Sequence, residues 1–471
     1  MSQTFFIIGT LLGLSWGEAP NVQKPKAQQP KVQQPNVLLI LGDDQGFGDY
    51  GFMGHKQIQT PHLDRLAAQS LRFDRGYVPS SLCRASLATI ITGLWPQEHG
   101  ITSNDPALPK GMGMALAMKD PGYLADRAKM VERFKRQPSL AKAFTAAGYR
   151  TLQTGKWWEG ESCRCGFTEG MTHGDPAKGG RHGDEGLKIG RQSVDTVSRF
   201  ITGAKDAGVK DAGVKETGVK ETDEKGIKEQ KPFFIWYAPM MPHEPHNPPK
   251  RLVDSYRAKT DSIHFARYWA MCEWFDETVG EILGHLEKSG QADNTIVVYL
   301  ADNGWIQNAN GPGFAPKSKR SPFDGGLRTP LLVRYPARLK PARTQIPVSS
   351  TDVAPTILAL AGLKADPKQK GVNLTDPVAV EKRPFLPGAI FTHNAVALDD
   401  PAKSLEYGWI IKEGWKLILP NPDQHPGEMP LLFELLSDPK EEKNLASLQP
   451  EKVKNLSQLW RQWWESTKFV P

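Results

Sequence analysis

Residues 36–44 read NVLLILGDD, an unbroken apolar run that ends in a glycine and two adjacent carboxylates, Asp43 and Asp44. Residues 295–304, TIVVYLADNG, follow the same plan and close on Asp302, Asn303 and Gly304. A run with no polar alternation predicts a strand covered on both faces, as in a parallel sheet. The stretches 233–237 and 331–334 add two more such strands. Helical patterns lie between them. One follows Thr60-Pro61, an N-cap and a first-turn proline, with Leu63, Leu66, Ala67 and Leu71 on one face; others cover 139–147 and 266–286. Strand alternating with helix predicts an α/β fold with a large, mostly parallel sheet sandwiched by helices.

Upstream of this core the chain changes character. An apolar stretch, FFIIGTLLGLSWG, is shorter than the about 20 residues that cross a bilayer but suits the apolar segment of a signal peptide. A signal peptide over 1–19 predicts a secreted or periplasmic protein with no stable membrane span. Residues 20–35 are a Pro/Gln/Lys linker. The segment 203–231 repeats KDAGV, KDAGV and KETGV, with too few large apolar groups to bury a core, and is expected to be a disordered surface insertion. From 365 to 471 short strands are expected at 389–392, 409–411, 415–419 and 431–436, before a helix over 450–468. Its stripe of Val453, Leu456, Leu459, Trp460 and Trp463 should dock on the main domain. This is a smaller C-terminal α+β domain with an antiparallel sheet, beside a main domain over 36–364.

The 471 residues are long enough for both cores. With 59 basic residues against 52 acidic ones and no long basic block, the chain lacks the footprint of a nucleic-acid binder. Four cysteines are too few for a disulfide scaffold. Cys163 and Cys165 are too close for an easy bridge to each other, and either could pair with Cys272.

Ligands of α/β sheets bind at the carboxyl ends of strands, where Asp43, Asp44, Asp302 and Asn303 fall. Adjacent carboxylates repel unless a cation sits between them, and hard oxygen donors suit Ca²⁺ or Mg²⁺ better than zinc. Each motif alone is ordinary turn chemistry; together, after two buried strands, they point to a metal. Cys83 stands before a helical run, SSLCRASLATIITG, and a cysteine at a helix N-terminus is expected to have a lowered pKa.

These motifs, taken in order, resemble the type I sulfatases of the alkaline-phosphatase superfamily: LGDDQGFGDYG, CRASLATIITG (83–93), TGKWW (154–158), APMMPHEP (238–245), LADNG (300–304) and KRSPFDGGLRTP (319–330). The resemblance runs from residue 36 through nearly the whole chain. It implies that Asp43, Asp44, Asp302 and Asn303 bind calcium, and that a maturation enzyme oxidises Cys83 to the formylglycine that attacks sulfur. It further implies that Lys156, His243 and Lys319 surround the sulfate of a small-molecule or glycan ester.

The chain also departs from that pattern. Ala85 and Leu87 stand where the family has proline and arginine, and Trp158 where it has histidine. Arg84, with His246 more distant, is the nearest replacement for the lost charge. A rival register makes Ser80 the nucleophile and puts Arg84 at the arginine position. Two other activities remain open beside the sulfatase: a phosphoesterase on the same fold, and a silent relative that binds sulfated glycans.

Overall fold

The computed structural model describes residues 33–175, 178, 180–203 and 231–467; the expected signal peptide, nearly all of the linker and the body of the repeat insertion lie outside them. The large sheet has nine strands: β1 (Asn36–Gly42), β2 (Leu71–Tyr77), β3 (Arg150–Gly155), β4 (Glu169–Gly170), β5 (Phe233–Ala238), β6 (Thr295–Ala301), β7 (Arg328–Arg334), β8 (Ala342–Thr344) and β9 (Val348–Ser349). Their order is β4-β3-β5-β1-β6-β7-β2-β8, with β9 beside β2. Pairing is parallel except where β7 meets β6 and β2, so β7 alone of these strands runs against the rest.

Every residue of β1 and β6 is buried. Alternation along β1 sends Val37, Leu39 and Leu41 into one helical layer and Leu38 and Ile40 into the other, and β6 does the same with Ile296, Val298 and Leu300 against Val297 and Tyr299. Both layers are apolar, which is why neither strand shows polar alternation. The helix after Thr60 spans Pro61–Ala68 with Thr60 at the N-cap position, but the Thr60 side chain makes no capping hydrogen bond. The Asp276 carboxylate accepts from the backbone N–H groups of His62 and Leu63 instead, at 3.0 and 2.7 Å. Leu71 is not on that helix face, as expected above; it opens β2.

A second sheet is antiparallel: β10 (Leu386–Phe391), β11 (Leu405–Lys412), β12 (Trp415–Pro420) and β13 (Leu431–Glu434), in that order. One face, with Ile390, Trp409, Ile411 and Phe433, packs on Tyr77, Val78 and Leu327 of the main layer. The other is covered by the Pro450–Ser466 helix through Leu456, Trp460 and Trp463. The stripe therefore docks chiefly on the small sheet, not on the main domain, and reaches the main layer through Trp95, whose ring lies 5.2 Å from that of Trp463.

Candidate active site

The carboxyl edge of the large sheet gathers the chemistry. Asp43 and Asp44 follow β1, Asp302 and Asn303 follow β6, Lys156 follows β3, and His243 stands in the segment after β5. Because β7 is reversed, its entry lies at this same edge and brings Lys319 with it. Gly155 must be glycine: its φ is +77°, and a Cβ there would meet the Ala238 carbonyl oxygen at 1.8 Å. The close approach lets the Lys156 N–H donate to that oxygen at 2.7 Å, which aims the side chain inward.

Lys156 Nζ lies 2.8 Å from Asp43 Oδ1 and 3.9 Å from Asp302 Oδ2. Lys319 Nζ lies 2.7 Å from Asp44 Oδ1. His243 gives its Nδ1 hydrogen to the Glu244 carbonyl at 2.6 Å and turns Nε2 to Asp44 Oδ2 at 3.3 Å. Asn303 donates to Asp44 Oδ1 at 2.7 Å, and the Cys83 thiol donates towards Asn303 Oδ1 at 3.6 Å and Asp43 Oδ1 at 3.9 Å. Ligand atoms of Asp43, Asp44, Cys83 and His243 all lie within 4.8 Å of one another. Asp44 has φ of +62°, a conformation aspartate tolerates and most side chains avoid.

Three buried carboxylates face two lysines. Burial opposes ionisation of Asp43 and Asp44, but Lys156 beside the first and Lys319 beside the second, with His243 helping both, hold them below the usual carboxylate range. Asp302 lacks such close cover: burial and then Asp43 push its carboxyl well above that range, and its Oδ2 has no hydrogen-bond partner. An all-oxygen donor set with one negative charge in excess fits a hard divalent cation. Burial also works against both ammonium groups, yet Asp43 beside Lys156 and Asp44 beside Lys319 keep them charged. In His243 burial prevails over Asp44 and Asp43 and lowers its pKa.

Two expectations change. The Cys83 thiol is not acidified at the N-terminus of the Cys83–Thr92 helix; burial pushes it up to about 12, against the pull of Lys156 and Lys319. The arrangement converges on Cys83, while Arg84 turns elsewhere: its guanidinium grips Glu159 at 2.8 and 2.7 Å and the Asn104 carbonyl at 3.2 Å. Arg84 is thus committed to a buried ion pair. His246 packs between Tyr268 and Trp305, 5.5 and 6.1 Å away by ring centroids, with its pKa lowered to about 4 by burial. All four cysteines are free thiols, so neither Cys163 nor Cys165 is bridged to Cys272. One neighbour escaped sequence reading altogether: His182, whose ring lies 5.4 Å from that of Trp158. Its signal was the glycine-flanked GGRHGDEG, which reads as loop.

Comparison with known proteins identifies the family and the fold. The chain is 28% identical over 357 residues to arylsulfatase A of Homo sapiens, a match that takes in 69% of this chain and 64% of that protein. It is 24% identical over 508 aligned positions to an N-acetylgalactosamine-6-O-sulfatase of Bacteroides thetaiotaomicron, covering 90% of this chain and 92% of the relative. A crystal structure of Ps i-CgsB with a neocarrahexaose superposes with a TM-score of 0.67 at 23% identity, over 92% of this chain and 93% of that one, and so shares the fold. Residues 315–468 match the C-terminal region of N-sulphoglucosamine sulphohydrolase. With residues 35–363 matching the sulfatase model, the chain belongs to the sulfatase family of the alkaline-phosphatase superfamily.

Proposed function

We propose that the protein hydrolyses sulfate monoesters carried on a carbohydrate. The observation that carries this reading is the meeting of Cys83 with Asp43 and Asn303, between two charged lysines, in a chain of the sulfatase family. Asp43, Asp44, Asp302 and Asn303 would hold Ca²⁺, or Mg²⁺, which supplies positive charge to the sulfate oxygens. Oxidised to formylglycine by a maturation enzyme, Cys83 would supply a hydrated aldehyde as nucleophile towards sulfur. A thiol pushed up to about 12 is a poor nucleophile by itself, which supports the modified residue. Lys156 and Lys319 bind and orient the anionic group, and His243 turns Nε2 to the site, where it would protonate the departing oxygen only as the imidazolium, its Nδ1 hydrogen staying on the Glu244 carbonyl. The carbohydrate substrate rests on the relatives: one is named for N-acetylgalactosamine 6-O-sulfate, and a protein of the same fold binds a neocarrahexaose. Export to a periplasm or the medium rests on the apolar stretch before residue 18. No helix among the described residues is long and apolar enough to cross a membrane.

Mass spectrometry of the peptide carrying residue 83, from protein made in its native host and with a carbonyl-reagent control, tests the mechanism. An aldehyde at 83 supports it; an intact cysteine in folded protein sinks it. Turnover of 4-nitrophenyl sulfate above the matched phosphate separates a sulfatase from a phosphoesterase. Leu87 and Trp158 favour a second reading, a binder of sulfated glycans without turnover. Its mark is salt-sensitive glycan binding that Cys83→Ala leaves unchanged.

A further inference from the structure

Trp158 fills the position at which type I sulfatases present an imidazole, and its ring packs under the Lys156 ammonium, 5.0 Å from Nζ to the centroid. Beside that ring, 5.4 Å away by ring centroids, lies His182, which belongs to a different segment of chain. Three contacts fix it there. The Trp157 N–H donates to the His182 carbonyl at 3.0 Å. Gly183 and Gly186 press against the end of β3, where a Cβ on either would sit 2.9 Å from the Gly155 carbonyl oxygen. Arg181 is tied to Asp105 by an ion pair, and Arg127 donates to the Arg181 carbonyl at 2.9 Å.

The imidazole is therefore delivered to the same strand end as Lys156. Its Nδ1 is buried with no hydrogen-bond partner. Lys156, Arg181 and Asp43 are charged groups that act on it, two of them members of the cluster around Cys83. Arg84, the replacement suggested by sequence, is held by Glu159 and does not compete for this place.

We infer that His182 is a further catalytic residue, an imidazole that hydrogen-bonds the sulfate group from the Trp158 side in place of the histidine lost at position 158. The inference rests on the sulfatase reading above. It explains why two glycines and a buried ion-pair network are devoted to holding a segment with little apolar content. Loss of one hydrogen bond to a charged group predicts about tenfold weaker binding of the anion, and a larger loss in turnover.

The test uses calcium-loaded protein from its native host, inorganic sulfate as calorimetric probe and 4-nitrophenyl sulfate as substrate. In His182→Ala, sulfate binding should weaken ~10-fold and kcat/KM should fall ~100-fold, with the melting temperature nearly unchanged. Should that variant fold poorly, His182→Gln keeps a donor on a side chain of similar reach and should show a smaller loss in both readouts. Trp158→His in the His182→Ala background should recover binding, because it restores an imidazole next to Lys156. Wild-type turnover with unchanged sulfate binding and unchanged kcat/KM in both His182 variants overturns this inference alone. Wild-type protein that neither binds sulfate nor turns over the ester overturns the sulfatase reading, and this inference with it.

Discussion

Two buried charge clusters lie in this molecule, and they are built to opposite ends. Where the small sheet meets the main one, Lys416 stands 2.8 Å from Asp324 and 2.7 Å from Glu441. Tyr77 donates to Asp324 at 3.0 Å, and Arg328 lies 3.8 Å away. Two carboxylates meet two cations. Burial opposes the Asp324 charge, but Lys416 and Arg328 prevail and hold its carboxyl below the ordinary range. At the candidate active site three carboxylates meet two lysines, and Asp302 is pushed the other way. The first cluster matches its carboxylates with cations, although burial raises Glu441 against the pull of Lys416, and it fastens the sheets; the second has one carboxylate more than it has lysines, which a cation or a proton can cancel. Buried charge thus serves cohesion in one place and is left in excess in the other.

The sharpest separation comes from Cys83→Ala, which should cost at least ~10⁴-fold in kcat on an aryl sulfate while leaving the urea midpoint in place. Lys416→Met reverses that pattern. It leaves two buried carboxylates without their cation and should destabilise the fold by ~3–5 kcal/mol, read by urea denaturation. Metal separates the clusters again: adding Ca²⁺ at about 100 times its dissociation constant to chelator-treated protein should stabilise it by ~2.7 kcal/mol, and Asp302→Asn should erase most of that gain. The smallest effect is in pH. The raised Asp302 carboxyl stabilises the metal-free fold fully below its unfolded value of 3.8, and that contribution is lost as pH rises through the folded pKa. Asp324, lowered, contributes above 3.8 and loses its contribution as pH falls through its folded pKa. Melting curves of metal-free protein should show Asp302→Asn flattening the rising-pH limb, and a wild-type slope unchanged by that substitution would contradict the contrast.

Sequence carried the carboxylate side of the site further than the rest. Asp43, Asp44, Asp302 and Asn303 stand out because each pair ends a run whose burial on two faces leaves no polar residue before it. The strand that carries Lys156 had no such mark. Thr151, Gln153 and Thr154 of β3 are polar and yet fully buried, satisfied by partners such as Thr168 and the Trp236 carbonyl, so the run reads as loop. β2 hid likewise behind Arg72, Asp74 and Arg75. The direction of Arg84 and the acidity of Cys83 depended on Glu159 and on burial, neither of which is local. The small sheet was legible strand by strand; what covered it was not, since an apolar stripe states that it docks and not where.

The reversal of β7 has a consequence for how this site can change. β6 and β7 are neighbours paired antiparallel, so residues 302–327 leave the sheet and return to it beside their point of departure. Both ends of that excursion are anchored whatever its length, and lengthening such a loop costs only about 0.6 kcal/mol per doubling. Asp302 sits at the exit and Lys319 near the return; between them Trp305 is buried with its ring 6.0 Å from Lys319 Nζ, while Ile306 and Phe314 are exposed. The exposed stretch beyond Trp305 is a cassette: exchanging it should remodel the surface beside the candidate site, with the anchoring strands and the charge balance left as they are.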